Sequence, residues 1–334
     1  MASVKKQETI LVVGGAGYIG SHMVLLLIRR NYHVVVLDDL SSGHQQAVDP
    51  AAELIIGDMA DAAILQDIFN RHNISAVMHF AAFMLIDVSV ANPSEYYQNN
   101  VFKTLFLLDQ MRTAGINYFI FSSTAAVFGE SHYLPIDNAH PKNPVNPYGS
   151  SKLMVERILA DYARAYGMRY AVLRYFNACG ADPQGRIGEL HDPETHLIPV
   201  ALQAAAGRRE HFFIFGNDYD TEDGTCRRDY VHVCDLADAH LLALEKIKHE
   251  AGNVSYNLGN GNGFTVQQVV DTVKQVTGCD FIVQQQARRA GDPATLIADA
   301  SNAQNELGWK PNYQDLTTII QHAWQWEQSR VFRL

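Results

Sequence analysis

Six short apolar runs rich in β-branched residues, "TILVVGG", "HVVVLDD", "ELIIGD", "AVMHFAA", "YFIFSST" and "YAVLRYF", recur within roughly the first 180 residues, separated by longer helix-compatible stretches. Strands buried on both faces read as continuous hydrophobic runs, and parallel neighbours need a crossover of about a dozen residues, usually a helix. The alternation therefore predicts βα units forming a parallel sheet with helices on both faces, over residues 10–180, after a disordered tail at 1–9. Beyond that the pattern loosens. "GADPQGRIGELHDPETHLIP" is turn-rich, "VALQAAAGRR" is helix-like, and "HFFIFGNDYDTEDGTCRRDYVHV" alternates short strands with turns. Residues 181–334 are expected to form a smaller α+β lobe, with some segments returning to the first domain, and "NELGWKPNYQDLTTIIQHAWQWEQS" to close the fold as a docked helix.

Composition narrows the function. A net charge of -10 over 334 residues argues against a broad nucleic-acid surface, so an anionic ligand must be met by a few local cations. Four cysteines without CxxC spacing are too sparse for a disulfide framework, and a reducing cytoplasm is the expected home. No signal-like segment and no run of 18 apolar residues is present, so no membrane association is expected. The 14 histidines, "HDPETH" included, show no HExxH-type spacing, and no metal site is expected.

In "GGAGYIG", Gly14, Gly17 and Gly20 follow the first strand and open a helix. Glycines there permit a tight turn and let the backbone approach a pyrophosphate lying at the positive end of the helix. Asp38 ends the second strand, 18 positions after Gly20, where a carboxylate accepts from both adenosine ribose hydroxyls and repels a 2'-phosphate. The combination predicts a Rossmann-type doubly wound sheet that binds NAD in preference to NADP. Asp58, ending the third strand, is a candidate for the adenine edge, with an ordinary helix cap as its plainer role.

Tyr148 and Lys152 in "NPYGSSKLMVERI" stand at i and i+4, on one face of a helix. A free phenol, with a pKa near 10, is only about 0.1% ionised at pH 7. Bringing it to neutrality takes roughly 4 kcal/mol, about what an ammonium at about 4 Å supplies at an effective dielectric of 20. Tyr148 is thus a candidate general base, and Lys152 the group that lowers its pKa and holds the nicotinamide ribose.

"GGAGYIG", "SSTAAVFG" and "YGSSK" resemble the extended short-chain dehydrogenase/reductase family, and "HFAAF", "SEYYQNNV", "RYFNACGA", "FGNDYDTEDGTCRRDYVHVCDLADAH", "YNLGNG" and "RRAGDP" extend the likeness over nearly the whole chain. The resemblance implies interconversion of UDP-galactose and UDP-glucose: Tyr148 takes the proton of the sugar 4-hydroxyl, hydride passes to tightly bound NAD, and the 4-keto sugar turns over and receives the hydride on its other face. It further implies that Thr124 orients the 4-oxygen, and that Tyr18, Ile19, Asp39, Ser42, Met59, Phe80, Ala81, Ala82, Asn99 and Phe176 contact the cofactor. Asn177, His196, Leu197, Phe213 and Phe215 are implied around the sugar, phosphates and uracil, Arg228 and Arg289 on the diphosphate, and Asp292 on ribose hydroxyls. Leu296 is implied to face the sugar 2-substituent, where a leucine, smaller than tyrosine, suits some turnover of the N-acetylated pair.

Met84 and Val88 depart from residues that relatives often carry near the nicotinamide. A 4,6-dehydratase would need acids directly after Thr124, where Ala125 and Ala126 stand, and a non-catalytic NAD sensor would not need the Tyr148–Lys152 pair. An epimerase acting chiefly on N-acetylated or uronic acid UDP-sugars remains the alternative. The helices "SEYYQNNVFKTLFLLDQMR" and "YGSSKLMVERILADYARAYG" are apolar on more than one face, which with the resemblance implies a homodimer joined through four helices.

Overall fold

The structure, a computed structural model, describes residues 7–289 and 292–329. The six apolar runs are strands β1 (Thr9–Val13), β2 (His33–Asp38), β3 (Glu53–Ile56), β4 (Ile74–His79), β5 (Tyr118–Thr124) and β6 (Arg169–Tyr175). Helix α1 (Tyr18–Arg29) follows β1, α2 (Ala62–Arg71) follows β3, α3 (Ile86–Ala91), α4 (Pro93–Tyr96) and α5 (Lys103–Thr113) lie between β4 and β5, and α6 (Pro147–Tyr166) follows β5; only a 3-10 turn, Gln45–Ala47, joins β2 to β3. Then come β7 (Asn177–Cys179), α7 (Leu197–Ala205), β8 (His211–Phe215), β9 (Arg227–Arg228), β10 (Tyr230–His232), α8 (Val233–His249), β11 (Val254–Leu258) and β12 (Phe264–Thr265). The chain ends through α9 (Val266–Thr277), β13 (Ile282–Gln286), β14 (Thr295–Leu296), α10 (Ser301–Leu307) and α11 (Leu316–Ser329).

The chain divides into two compact units, one of residues 1–129, 141–174 and 237–256, the other of 130–140, 175–236 and 257–334. The large sheet has seven strands in the order β11-β6-β5-β4-β1-β2-β3, with β3 through β5 paired in parallel. Leu11, for example, stands opposite Val35 on one side and Val77 on the other. Both faces of these strands are apolar for a reason visible in the packing. Leu11, Val13, Val35, Leu37 and Val77 join Leu65, Ile68, Leu107, Met111, Val155 and Leu159 in one core, while the alternate residues Ile10, Val12, Val34, Val36 and Met78 are equally buried. The change of winding direction falls between β1 and β4, where doubly wound sheets open at their carboxyl ends.

In the second unit α7, α9 and α11 pack with β8 and β13 around Ile198, Phe212, Ile214, Val269, Val273, Ile319 and Ile320. Asp229, fully buried, accepts from the backbone of Gly261 and Ala298 at 3.1 and 3.0 Å and fixes the β9–β10 segment.

Three expectations change. Thr9 already belongs to β1 and Glu8 pairs with Lys248, so the expected tail at 1–9 is too long; residues 1–6 lie outside the described ones. Asp58 is not the cap of α2: Asp61 is, accepting from Ala63 and Ile64, because it stands directly before the first helical residue. The helix expected over residues 94–112 is interrupted by a π-helical turn, Tyr97–Phe102, that buries Asn99 and Asn100. No helix among the described residues is long and apolar enough to cross a membrane.

Candidate active site

The glycine loop works by close approach. Gly14 has φ +80°, and a Cβ on it would lie 2.4 Å from the backbone nitrogen of Ala81. One on Gly20 would lie 2.0 Å from the Gly14 carbonyl oxygen. Phe80 and Ala81 donate to the Val13 carbonyl at 2.8 and 3.2 Å, so β1, α1 and the chain leaving β4 meet as bare backbone. Gly17 differs: a Cβ there would meet only the Gly14 oxygen, at 3.5 Å, and no side chain caps α1 or places an acid in its first turn. The positive end of α1 is therefore left to an anion, with Tyr18 and Ile19 partly exposed beside it.

Asp38 is pinned at the end of β2, its two carboxylate oxygens accepting from Ala16 and Leu40 nitrogens at 2.8 and 2.9 Å. Burial raises its pKa, and those two bonds oppose the rise. Asp39 turns the next residues by accepting from Ser41, and Ser42 is exposed. Asp58 accepts from Ala60 and pairs with Lys103 at 2.7 Å, whereas the Met59 side chain is buried in the core. Phe80, Ala81 and Ala82 keep partial exposure, and the Phe80 ring lies 5.0 Å from that of His240. Asn99 donates to Asn100, which binds both backbone groups of Phe83 and the Ser151 hydroxyl. Asn100 thus ties the segment after β4 to α6, a role without a motif signal in the sequence. Met84 and Val88 are exposed, while Ser89 is buried and donates to the Ile86 carbonyl.

Tyr148, Lys152 and Glu156 recur every fourth residue and share one face of α6. Asn146 caps this helix by accepting from Gly149 at 2.8 Å, which sets Tyr148 in its first turn. Thr124, at the end of β5, caps the following turn by accepting from Ala126, and its hydroxyl lowers the Tyr148 pKa. Lys152 is buried, donates to the Ser122 carbonyl at 2.9 Å and lies 4.8 Å from the Phe121 ring centroid. Below it Glu156 accepts two bonds from Arg174, at 2.8 and 2.7 Å, and one from Ser123.

The electrostatics correct the sequence argument. Burial pushes the Tyr148 phenol up to about 12, opposed by the Thr124 hydrogen bond, and Lys152 is not among the groups that move it. Burial likewise brings Lys152 down to about 7, against the pull of Glu156. Desolvation of both groups thus opposes the lowering of the phenol that their spacing suggests.

In the second unit Arg228 stands opposite Leu296 on paired β9 and β14, and Leu296 is half-buried. The Arg228 guanidinium pairs with Asp292 at 2.6 Å and donates to the Arg227 carbonyl. Arg289 stacks over Phe215 at 3.9 Å, and Phe213, on the same strand, is exposed. Asn177 donates to the Asp229 carbonyl from β7, Phe176 is partly buried, and His196 with Leu197 begins α7. Glu189, His191 and Glu194 gather around His196, so the "HDPETH" segment, whose spacing suggests no metal site, brings four potential ligands together.

Parallel sheet, open glycine loop and Tyr–Lys helix together define an NAD-dependent enzyme acting on a hydroxyl-bearing carbon. A model of the NAD dependent epimerase/dehydratase family matches residues 10–259, and the chain belongs to that family. It is 50% identical over 319 residues to the UDP-glucose 4-epimerase of Halalkalibacterium halodurans, covering 96% of this chain and 95% of the relative. Identity to the UDP-glucose 4-epimerase of Rhizobium leguminosarum bv. trifolii is 49% over 321 residues, 96% of this chain and 97% of that one. The solved structure of UDP-glucose 4-epimerase from Brucella ovis in complex with NAD superposes with a TM-score of 0.93 at 49% identity, covering 95% of this chain and 97% of the other. The cofactor is NAD.

Gly17→Ala separates cofactor binding from folding, because its backbone, φ -77° and ψ 174°, suits alanine and its Cβ has room. The purified variant is expected to keep the wild-type unfolding temperature and to lose at least about tenfold in NAD affinity, since the methyl stands where the pyrophosphate approaches. Undiminished NAD content would remove the loop from the cofactor site.

Proposed function

We propose that the chain interconverts UDP-galactose and UDP-glucose by inverting C4 of the hexose. Bound NAD supplies the hydride acceptor and donor and, when oxidised, a positive charge beside the phenol. The observation that carries the residue assignment is buried Lys152, one helical turn after Tyr148 on α6 and bonded to the Ser122 carbonyl of β5, in the same unit as the open glycine loop. Tyr148 accepts the 4-hydroxyl proton as hydride leaves C4 and gives it back as hydride returns, so no net oxidation results. Thr124 orients the 4-oxygen. Lys152, fixed by Ser122, has further N–H donors for the nicotinamide ribose, while Asp38 takes the adenosine ribose hydroxyls.

On the second unit, Arg228 and Arg289 are assigned to the diphosphate, Asp292 to the uridine ribose, and Asn177, His196, Leu197, Phe213 and Phe215 to the sugar and uracil. Asp292 and Arg228 orient each other, and Phe215 holds Arg289 flat, which suits both guanidinium groups to planar contact with phosphate oxygens. No two of the four cysteines form a disulfide, in keeping with the cytoplasmic location we propose.

The purified protein, incubated with UDP-galactose and no added cofactor, is expected to form UDP-glucose. Tyr148→Phe should lower kcat by about 100- to 10,000-fold while leaving NAD content unchanged; activity near wild type would end the assignment. Leu296→Tyr is expected to depress turnover of UDP-N-acetylgalactosamine selectively, by roughly 10- to 200-fold relative to UDP-galactose. Equal loss on both substrates would make Leu296 a packing residue only. Phe102, Met154 and Tyr166 leave apolar surface exposed at 56%, 42% and 54% on the π-helical turn and α6, and a second copy covering it makes the protein a homodimer. Light scattering at micromolar concentration should give twice the chain mass, and a monomer would refute the interface.

A further inference from the structure

Four potential ligands lie within eight consecutive residues of the second unit: Glu189, His191, Glu194 and His196, with one donor atom of each within 4.8 Å of all the others. Glu189 and Glu194 are buried at 7% and 6% exposure, so two carboxylates placed together demand cationic compensation. Ordinary ion pairing supplies part of it, because His196 Nδ1 hydrogen-bonds Glu189. His191 supplies the rest as an ion pair to both carboxylates, but without hydrogen-bond geometry. Its buried Nδ1 has no hydrogen-bond partner and lies 3.4 Å from a Glu189 oxygen and 3.5 Å from a Glu194 oxygen. An N–H···O bond needs roughly 2.7–3.2 Å. Ligand atoms at the corners of a tetrahedron about 2.1 Å from a central ion are, in contrast, about 3.4 Å apart.

We propose that Glu189, His191, Glu194 and His196 bind one divalent transition-metal ion, with zinc as the preferred occupant. Two imidazoles select such an ion over calcium or magnesium, which favour all-oxygen shells, and two carboxylates balance its charge. Four protein ligands suffice for a tetrahedron once the Glu189–His196 hydrogen bond opens, which makes the site structural, and contact within a short loop keeps the entropy of assembling it small. The surroundings already hold the ligands in place. Trp326 donates to the Glu189 carbonyl at 2.9 Å and Arg209 to the Glu194 carbonyl at 2.8 Å. One Glu194 oxygen accepts from Thr195 and His196 nitrogens at 2.8 and 2.9 Å, leaving its other oxygen toward His191. Bound metal would clamp the loop that ends at His196 and starts α7. The inference shares one residue with the epimerase reading, His196, which is also assigned to the sugar and uracil; the tests therefore vary His191 and Glu194.

The test measures metal in the whole enzyme. Protein made in zinc-supplemented medium and dialysed free of loose ions is expected to contain about one zinc per chain by mass spectrometry. Crystals should show anomalous scattering at the zinc edge between His191 and Glu194. After stripping with a chelator, zinc but not magnesium should rebind and raise the unfolding temperature. His191→Gln and Glu194→Gln should each weaken zinc by more than about 100-fold in competition with a fluorescent chelator, while circular dichroism and NAD content stay as in the parent. Wild-type protein that neither retains zinc nor rebinds it would overturn the proposal, as would undiminished zinc in His191→Gln. Should either variant fail to fold, the wild-type stoichiometry and the anomalous signal decide. Failure of epimerisation with zinc retained would count against the catalytic reading alone.

Discussion

At the β1–α1 turn the Gly14 carbonyl occupies the space in which a Gly20 side chain would sit, and the backbone of Ala81 occupies the space beside Gly14. This three-way backbone contact fixes the start of α1 against β1 and the exit of β4, so the carboxyl ends of the central strands and the positive helix end share one place. The cofactor residues depend on that geometry. Asp38 reaches it because its carboxylate bonds Ala16 inside the loop, and Phe80 to Ala82 reach it because Val13 accepts from two of them.

Beside the apolar Val155 and Leu159, α6 buries a second, polar stripe. Tyr148, Lys152 and Glu156 succeed one another on it, with Arg174 and Ser123 closing the lower end. Burying Lys152 depresses its basicity, and Glu156, held by Arg174, partly restores it. A buried ion pair of this kind adds little net stability over an apolar pair, but loss of either partner leaves an uncompensated charge, on the order of 3–5 kcal/mol. The arrangement makes sense as a means of keeping a lysine dry and still chargeable beside a phenol that burial keeps protonated.

On the proposed assignment of Arg228 and Arg289, the second unit meets a different problem, that of holding anions on a chain of net charge -10. It concentrates two arginines and fixes each one, Arg228 by Asp292 and Arg289 by the face of Phe215. Restraint of this sort reduces the entropy lost on binding. The Glu189–His196 loop extends the same economy to its own acids, gathering imidazoles around carboxylates that could not be buried alone.

Local pattern alone determined the six strands, the glycine loop, Asp38, the Tyr148–Lys152 pair and the closing helix α11, because each is written in periodicity or spacing over fewer than about 20 residues. Strand β11, the π-helical turn, the linking role of Asn100 and the choice of Asp61 over Asp58 as cap were decided by tertiary packing. So were the segments that return to the first unit, 237–256 among them. The same holds for charge. Spacing put Lys152 beside Tyr148, but the direction in which each pKa moves comes from desolvation by segments distant in sequence. The Glu189–His196 cluster lacks the helical spacing of a familiar metal motif, and only the fold of its loop turns four donors toward one point. Periodicity records which residues are buried; the electrostatic consequence of burial depends on what is buried with them.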